Sequence, residues 1–200
     1  MRMRLLALTV VVAFGLVTAR QGLAEDWFPL QAALWGPQVQ LVPADWSING
    51  LRLCAGYGEN AGLSGLDIGL AGRATGDVTG VQAALAFNLV EADVAGLQLA
   101  GGFNIVNRTL WGAEVALLGN LASPGRVVKG AQVAAGYNSC GEIAGCQAAL
   151  VNVARYTKGV QIGLVNVSRE VHGLQIGLLN INRTGWLRYC PLLNWGFGER

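Results

Sequence analysis

From residue 50 onward the chain alternates apolar with polar or small residues at a period of two. The phase is reset every 14–18 residues. Val81, Ala83, Leu85 and Phe87 form one such run, and Ala113, Val115 and Leu117 another. Leu174, Ile176 and Leu178 form a third, interleaved with Gln175, Gly177 and Leu179. A period of two sends successive side chains to opposite faces of an extended strand. Turn-forming clusters separate the runs: Glu91-Ala-Asp, Asn107-Arg-Thr, Ser123-Pro-Gly, Ser139-Cys-Gly-Glu and Ser168-Arg-Glu. No helical spacing occurs in this region, so the pattern predicts an all-β fold.

The resets mark a tandem repeat. Its anchor is a glycine, then an apolar residue, then usually glutamine. Nine copies begin at Gly50, Gly65, Gly80, Gly96, Gly112, Gly130, Gly145, Gly159 and Gly173, with spacings of 14–18 residues. Glutamine fills the third position at Gln82, Gln98, Gln132, Gln147, Gln161 and Gln175. An asparagine closes seven copies, at Asn88, Asn104, Asn120, Asn138, Asn152, Asn166 and Asn180. Repetition at a fixed short period is the signature of an array whose units cannot bury a core alone.

Two architectures use such strands. In a β-solenoid each copy is one coil laid parallel on the next, so glutamine lies over glutamine and asparagine over asparagine, as in amide ladders. In an up-and-down outer-membrane β-barrel each copy is a strand antiparallel to its neighbour. Identical marks running in one chain direction favour the solenoid. So does the short apolar stripe Leu174–Leu178, since a membrane-spanning strand needs about 9–11 residues. The few charges and the closing "PLLNWGF" keep the barrel as the alternative. On the solenoid reading, Leu174, Ile176 and Leu178 point inward, with a corner at Leu178-Leu179. His172, Gln175, Gly177 and Asn180 point outward. The Gln and Asn columns then form an outward repeat ladder. Residues 25–49, rich in Trp and Pro, are expected to cap one end of the nine-copy array at 50–183. Residues 184–200 cap the other.

Composition narrows the function classes. The basic start, the apolar run Leu5–Ala19 and the small residues Gly22 and Ala24 have the order of a secretory signal peptide ending at residue 24. Loss of Arg2, Arg4 and Arg20 moves the formal charge from +2 to −1, which excludes nucleic acid as an electrostatic partner. Charged residues are 13% of the chain and glycine 29 of 200, about half and about twice their usual shares. In an exported chain, four cysteines suggest disulfides. Cys140 and Cys146 are close enough in sequence for a local bridge. The other reading is that Cys146, at a position filled elsewhere by Val, Leu or Ala, is an apolar thiol.

The search for chemistry finds no convergent set. His172 is the one histidine and lacks a second ligand at metal spacing. "GLSG" at 62–65 falls one residue short of a nucleophile elbow. "GYGENAG" at 56–62 lacks the spacing and the following helix of a dinucleotide loop. Acidic residues are scattered one per repeat, as at Asp67, Glu114 and Glu142. No cofactor and no enzymatic role are expected. An envelope, polysaccharide or protein partner is expected, as is self-association. Membrane contact is expected only for the barrel.

The repeats "GLQIGLLN" and "GVQIGLVN", the early "GLRLCAGYGEN" and "GLDIGL", and the closing "PLLNWGF" resemble a family of bacterial surface repeat-containing proteins. The resemblance covers roughly residues 35–197. It implies export to the periplasm, outer membrane or surface of a Gram-negative bacterium and transfers no catalytic residue. Some relatives are lipoproteins. This chain has no cysteine after its leader, so that feature does not carry over.

Overall fold

The computed structural model describes residues 26–123 and 125–197. The expected leader lies outside these residues. Thirteen strands follow in order: β1 (Trp27–Trp35), β2 (Ser47–Asn60), β3 (Leu63–Ala74), β4 (Val78–Val90), β5 (Val94–Ala100), β6 (Phe103–Val106), β7 (Leu110–Ala116), β8 (Gly119–Ala122), β9 (Val127–Ala134), β10 (Tyr137–Ala148), β11 (Val151–Ile162), β12 (Val165–Asn182) and β13 (Tyr189–Gly196). From β1 to β12 every pairing between neighbouring coils is parallel. The chain is a β-solenoid of about nine turns and not a barrel. An up-and-down barrel pairs successive strands antiparallel. Here each copy lies over the previous one in the same direction. At about 4.8 Å per coil the array is roughly 40 Å long.

Register is strict at the anchors. Gly50 pairs with Gly65, Gly65 with Gly80, and so on through Gly159 with Gly173. Each of the nine has φ between 123° and 149°, a region that L side chains rarely enter. Space forbids a side chain as well. A Cβ on Gly145 would sit 2.0 Å from the carbonyl oxygen of Gly130. The anchor is glycine because the coils turn and touch backbone to backbone there.

The apolar core lies two residues before each anchor. Ile48, Leu63, Val78, Val94, Leu110, Val128, Ile143 and Val171 are all at most 3% exposed. At full burial each contributes about 1.5–3 kcal/mol. A second column of small or apolar residues, including Ala74, Val90, Val106, Cys140 and Ala154, faces it across the coil. Thr157 and Ser168 replace apolar residues in these two columns and satisfy each other at 3.1 Å.

The ends are closed differently. β1 lies parallel on β2, and residues 39–42 return along its free edge, with hydrogen bonds Leu34 N to Val39 O and Leu41 N to Ala32 O. At the other end β13 pairs antiparallel with β12. Both arrangements occupy strand-edge donors that would otherwise invite pairing.

Candidate functional site

The Gln and Asn columns are inside the coil, not outside. Gln82, Gln98, Gln132, Gln147, Gln161 and Gln175 are fully buried, and the seven asparagines are at most 1% exposed. This corrects the expected orientation. The reason is that neighbouring coils satisfy the amides. Gln98 Nε2 donates to Gln82 Oε1 at 2.6 Å, and Gln147 to Gln132 at 2.8 Å. Gln161 donates to Gln147 at 2.7 Å and Gln175 to Gln161 at 2.8 Å. The Asn column bonds the other way along the rod: each Nδ2 from Asn88 to Asn166 donates to the Oδ1 of the next coil's asparagine, at 2.8–3.1 Å. The same Nδ2 also reaches a backbone carbonyl of the next coil, as from Asn120 to Val133 O at 2.9 Å.

The departures from glutamine are paired ions. Arg52 and Asp67 occupy the glutamine position in the first two copies and form a buried salt bridge at 2.5 Å. Room for the guanidinium comes from Gly72, in register with Asn88. A Cβ on Gly72 would lie 2.7 Å from an Arg52 nitrogen. Asp67 then accepts from Gln82 Nε2 at 3.1 Å, so an acceptor-only group ends a ladder that donates toward it. Glu114 is the third departure. Its partner is Arg126, delivered by the extra residues of the 18-residue copy. Arg126 donates to Glu114 Oε1 at 2.7 Å, and both side chains are fully buried. Gln132 donates to the other Glu114 oxygen at 2.8 Å. On its other side Glu114 has no proton to offer, and Gln98 Oε1 has no partner.

The cysteines do not bridge. All four are free. Cys140 faces inward and accepts from Gln147 Nε2 at 3.3 Å. Cys146, one residue before the inward Gln147, faces outward. Of the two readings of this pair, the local disulfide fails on geometry: the two thiols lie on opposite sides of one strand. Burial pushes the Cys54 thiol up to about 11 and Cys140 up to about 12, which keeps both protonated at neutral pH. His172 Nε2 lies 2.9 Å from Glu170 Oε1. The nearby Ser168 hydroxyl is buried and donates to Glu170 O at 2.8 Å. No group of three metal-ligating side chains occurs among the described residues.

With amides inside, the aliphatic residues are displaced to the surface. Leu174, Ile176 and Leu178, expected in the core, are half-buried, 42% and 64% exposed. The same positions in every copy, one, three and five residues after the anchor, are apolar or glycine and never charged. Stacked in register, they form one flat aliphatic sheet face, with a row of leucines at the adjoining corner, among them Leu85 and Leu117. A recess of about 450 Å³ lies between Ile68, Leu85, Leu99 and Leu117. Charges lie outside these columns. Arg155 and Arg169, each four residues before an anchor, and Arg183 stand exposed beside a groove of about 470 Å³. The signal for the face was in the sequence: adjacent columns one residue apart, one confined to amides and paired ions, the others to apolar residues and glycine. Comparison with known proteins gave no match, whether to family models, to curated proteins or to solved structures.

Proposed function

We propose that the chain is an exported, non-enzymatic repeat protein of the bacterial cell envelope that acts as a rigid binding scaffold, with the aliphatic sheet face as its working surface. The observation that carries this reading is the face itself. Solvated proteins rarely keep an apolar patch beyond a few hundred Å² without using it, and this one runs the length of the array. The amide ladders and the two buried ion pairs are accounted for by the interior, which leaves the outer surface for recognition. Leader-like residues 1–24 supply the argument for export. The test is fractionation of the tagged chain in a Gram-negative host, combined with crosslinking of intact envelopes. The expected result is a processed chain in the envelope fractions, with adducts that disappear in Leu99→Glu/Val115→Glu. An unprocessed cytoplasmic chain, or an adduct pattern indifferent to that substitution, would overturn the proposal.

A further inference from the structure

The aliphatic face needs a cover, and three observations choose it. The first is size. Eleven strands contribute to the face, from β1 to β13. Ten spacings of about 4.8 Å and five residues of about 3.3 Å give roughly 800 Å². That matches the roughly 800 Å² per partner of a stable protein interface. The second is self-complementarity. A surface with no charge at any of its repeated positions meets no like charge when it meets itself. The third is the charge outside the face, which is divided along the rod. Among the described residues before Gly112, the outward charges are Asp26, Asp45, Glu59, Asp77, Glu91 and Asp93 against Arg73 and Arg108. After it they are Lys129, Arg155, Lys158, Arg169, Arg183 and Arg188 against Glu142 and Glu170. One half carries a surplus of four acids and the other a surplus of four bases.

From these we infer that the face is covered by a second copy of this chain, packed face to face with its axis antiparallel. Symmetry links the observations. A two-fold axis lying in the interface and perpendicular to the rods leaves the anchor edges of both faces on the same flank, the edge that Asp77, Asp93, Lys129 and Lys158 border. It sets the acidic half of one copy beside the basic half of the other. An axis along the rods would instead place each anchor edge against the partner's leucine corner.

The inference rests on the scaffold reading but has its own test, since pairing is measured on the purified chain and export on cell fractions. Sedimentation of the detergent-free chain from micromolar concentrations upward should give a two-chain species. Leu99→Arg/Val115→Arg, at the centre of the face and pointing outward, should shift it to single chains, raising the dissociation constant at least about 100-fold, with an unchanged circular dichroism spectrum. A wild-type single chain at all concentrations would overturn pairing, as would a dimer indifferent to the substitutions. So would capture of single chains by phosphatidylcholine vesicles, which would assign the face to lipid. Orientation is read by pulsed electron resonance after Cys146→Ser and Cys190→Ser. Labels at Asn49 should lie about a rod length apart across the dimer and labels at Asn107 close together. Equal short distances at both sites would overturn the antiparallel arrangement.

Discussion

Glu114 and Arg126 allow the interior account to be tested by restoring the repeat rather than by breaking it. The Glu114→Gln change alone returns the consensus amide but leaves the Arg126 guanidinium, which is fully buried, without its carboxylate. Arg126→Met alone leaves the buried carboxylate with one amide donor. Removing one partner of a buried ion pair costs about 3–5 kcal/mol, and each single variant should lose that much. The double variant differs in kind. The amide that Glu114→Gln introduces can donate to Gln98 Oε1, which has no partner in the wild type, and can accept from Gln132 Nε2. Satisfying a buried orphan acceptor recovers about 1–3 kcal/mol. The unpartnered Arg126 Nε disappears as well, and methionine fills much of the volume. Arg126→Met also removes the donations to Val106 O and Leu121 O, about 1 kcal/mol each, so the double variant should come within about 1–2 kcal/mol of wild type and far above the sum of the two single losses. Urea titrations of all four proteins at neutral pH, followed by far-ultraviolet circular dichroism, measure this directly. A double variant that loses as much as both singles together would refute the idea that the pair stands in for an amide rung.

Three further outcomes follow from the same geometry. Gly145→Ala should destabilise by several kcal/mol, because φ is +144° and a Cβ would meet Gly130 O at 2.0 Å. Gly125→Ala, with nothing within 4 Å, should change thermal stability little, and equal losses in the two variants would argue against the anchor contact. Asn138→Ala should cost about 2–4 kcal/mol in chemical denaturation, since it removes hydrogen bonds to Asn152 Oδ1, Ala148 O and Gln132 O. A change under about 0.5 kcal/mol would mean that the ladder adds no stability. The thiols set an alkaline limit. Burial holds Cys54 near 11 and Cys140 near 12 in the folded chain, above the ordinary thiol value of about 8.5. Stability should be full below that ordinary value and fall as pH rises from it toward the folded values, where the unfolded chain binds fewer protons. The decline should be shallower in Cys54→Ala/Cys140→Ala, and an unchanged slope would remove the thiols from the explanation.

The all-β, coil-on-coil architecture was legible because the anchor glycine recurs in one chain direction and its spacing never strays beyond 14–18 residues. The orientation of the coil was not. A period of two separates two faces but does not say which is interior, and here both candidate sets are plausible cores. Leucine and isoleucine ordinarily win that choice by transfer free energy. In this chain the inward amides are satisfied by their counterparts one coil away, so their burial leaves few unpaired groups. The apolar column that does form the core, from Ile48 to Val171, is hard to read from sequence because it precedes the anchor and merges with the turn signals. The ion pairs were half visible. Arg52, Asp67 and Glu114 stood in glutamine positions, but the partner of Glu114 lies twelve residues away in an insertion, and no short-range pattern connects them. The Cys140–Cys146 reading failed because closeness in sequence says nothing about the face of the strand on which each thiol sits.

The repeat marks fasten the interior while the aliphatic residues face outward. Hydrogen exchange of the side-chain amides, resolved by nuclear magnetic resonance, tests it most directly. The Nε2 protons of Gln147, Gln161 and Gln175 and the Nδ2 protons of Asn120, Asn138 and Asn152 should exchange orders of magnitude more slowly than free amides, with protection approaching that of the core backbone. Exchange at the rate of solvated amides would put the ladders on the surface, return the leucines to the core, and contradict the account.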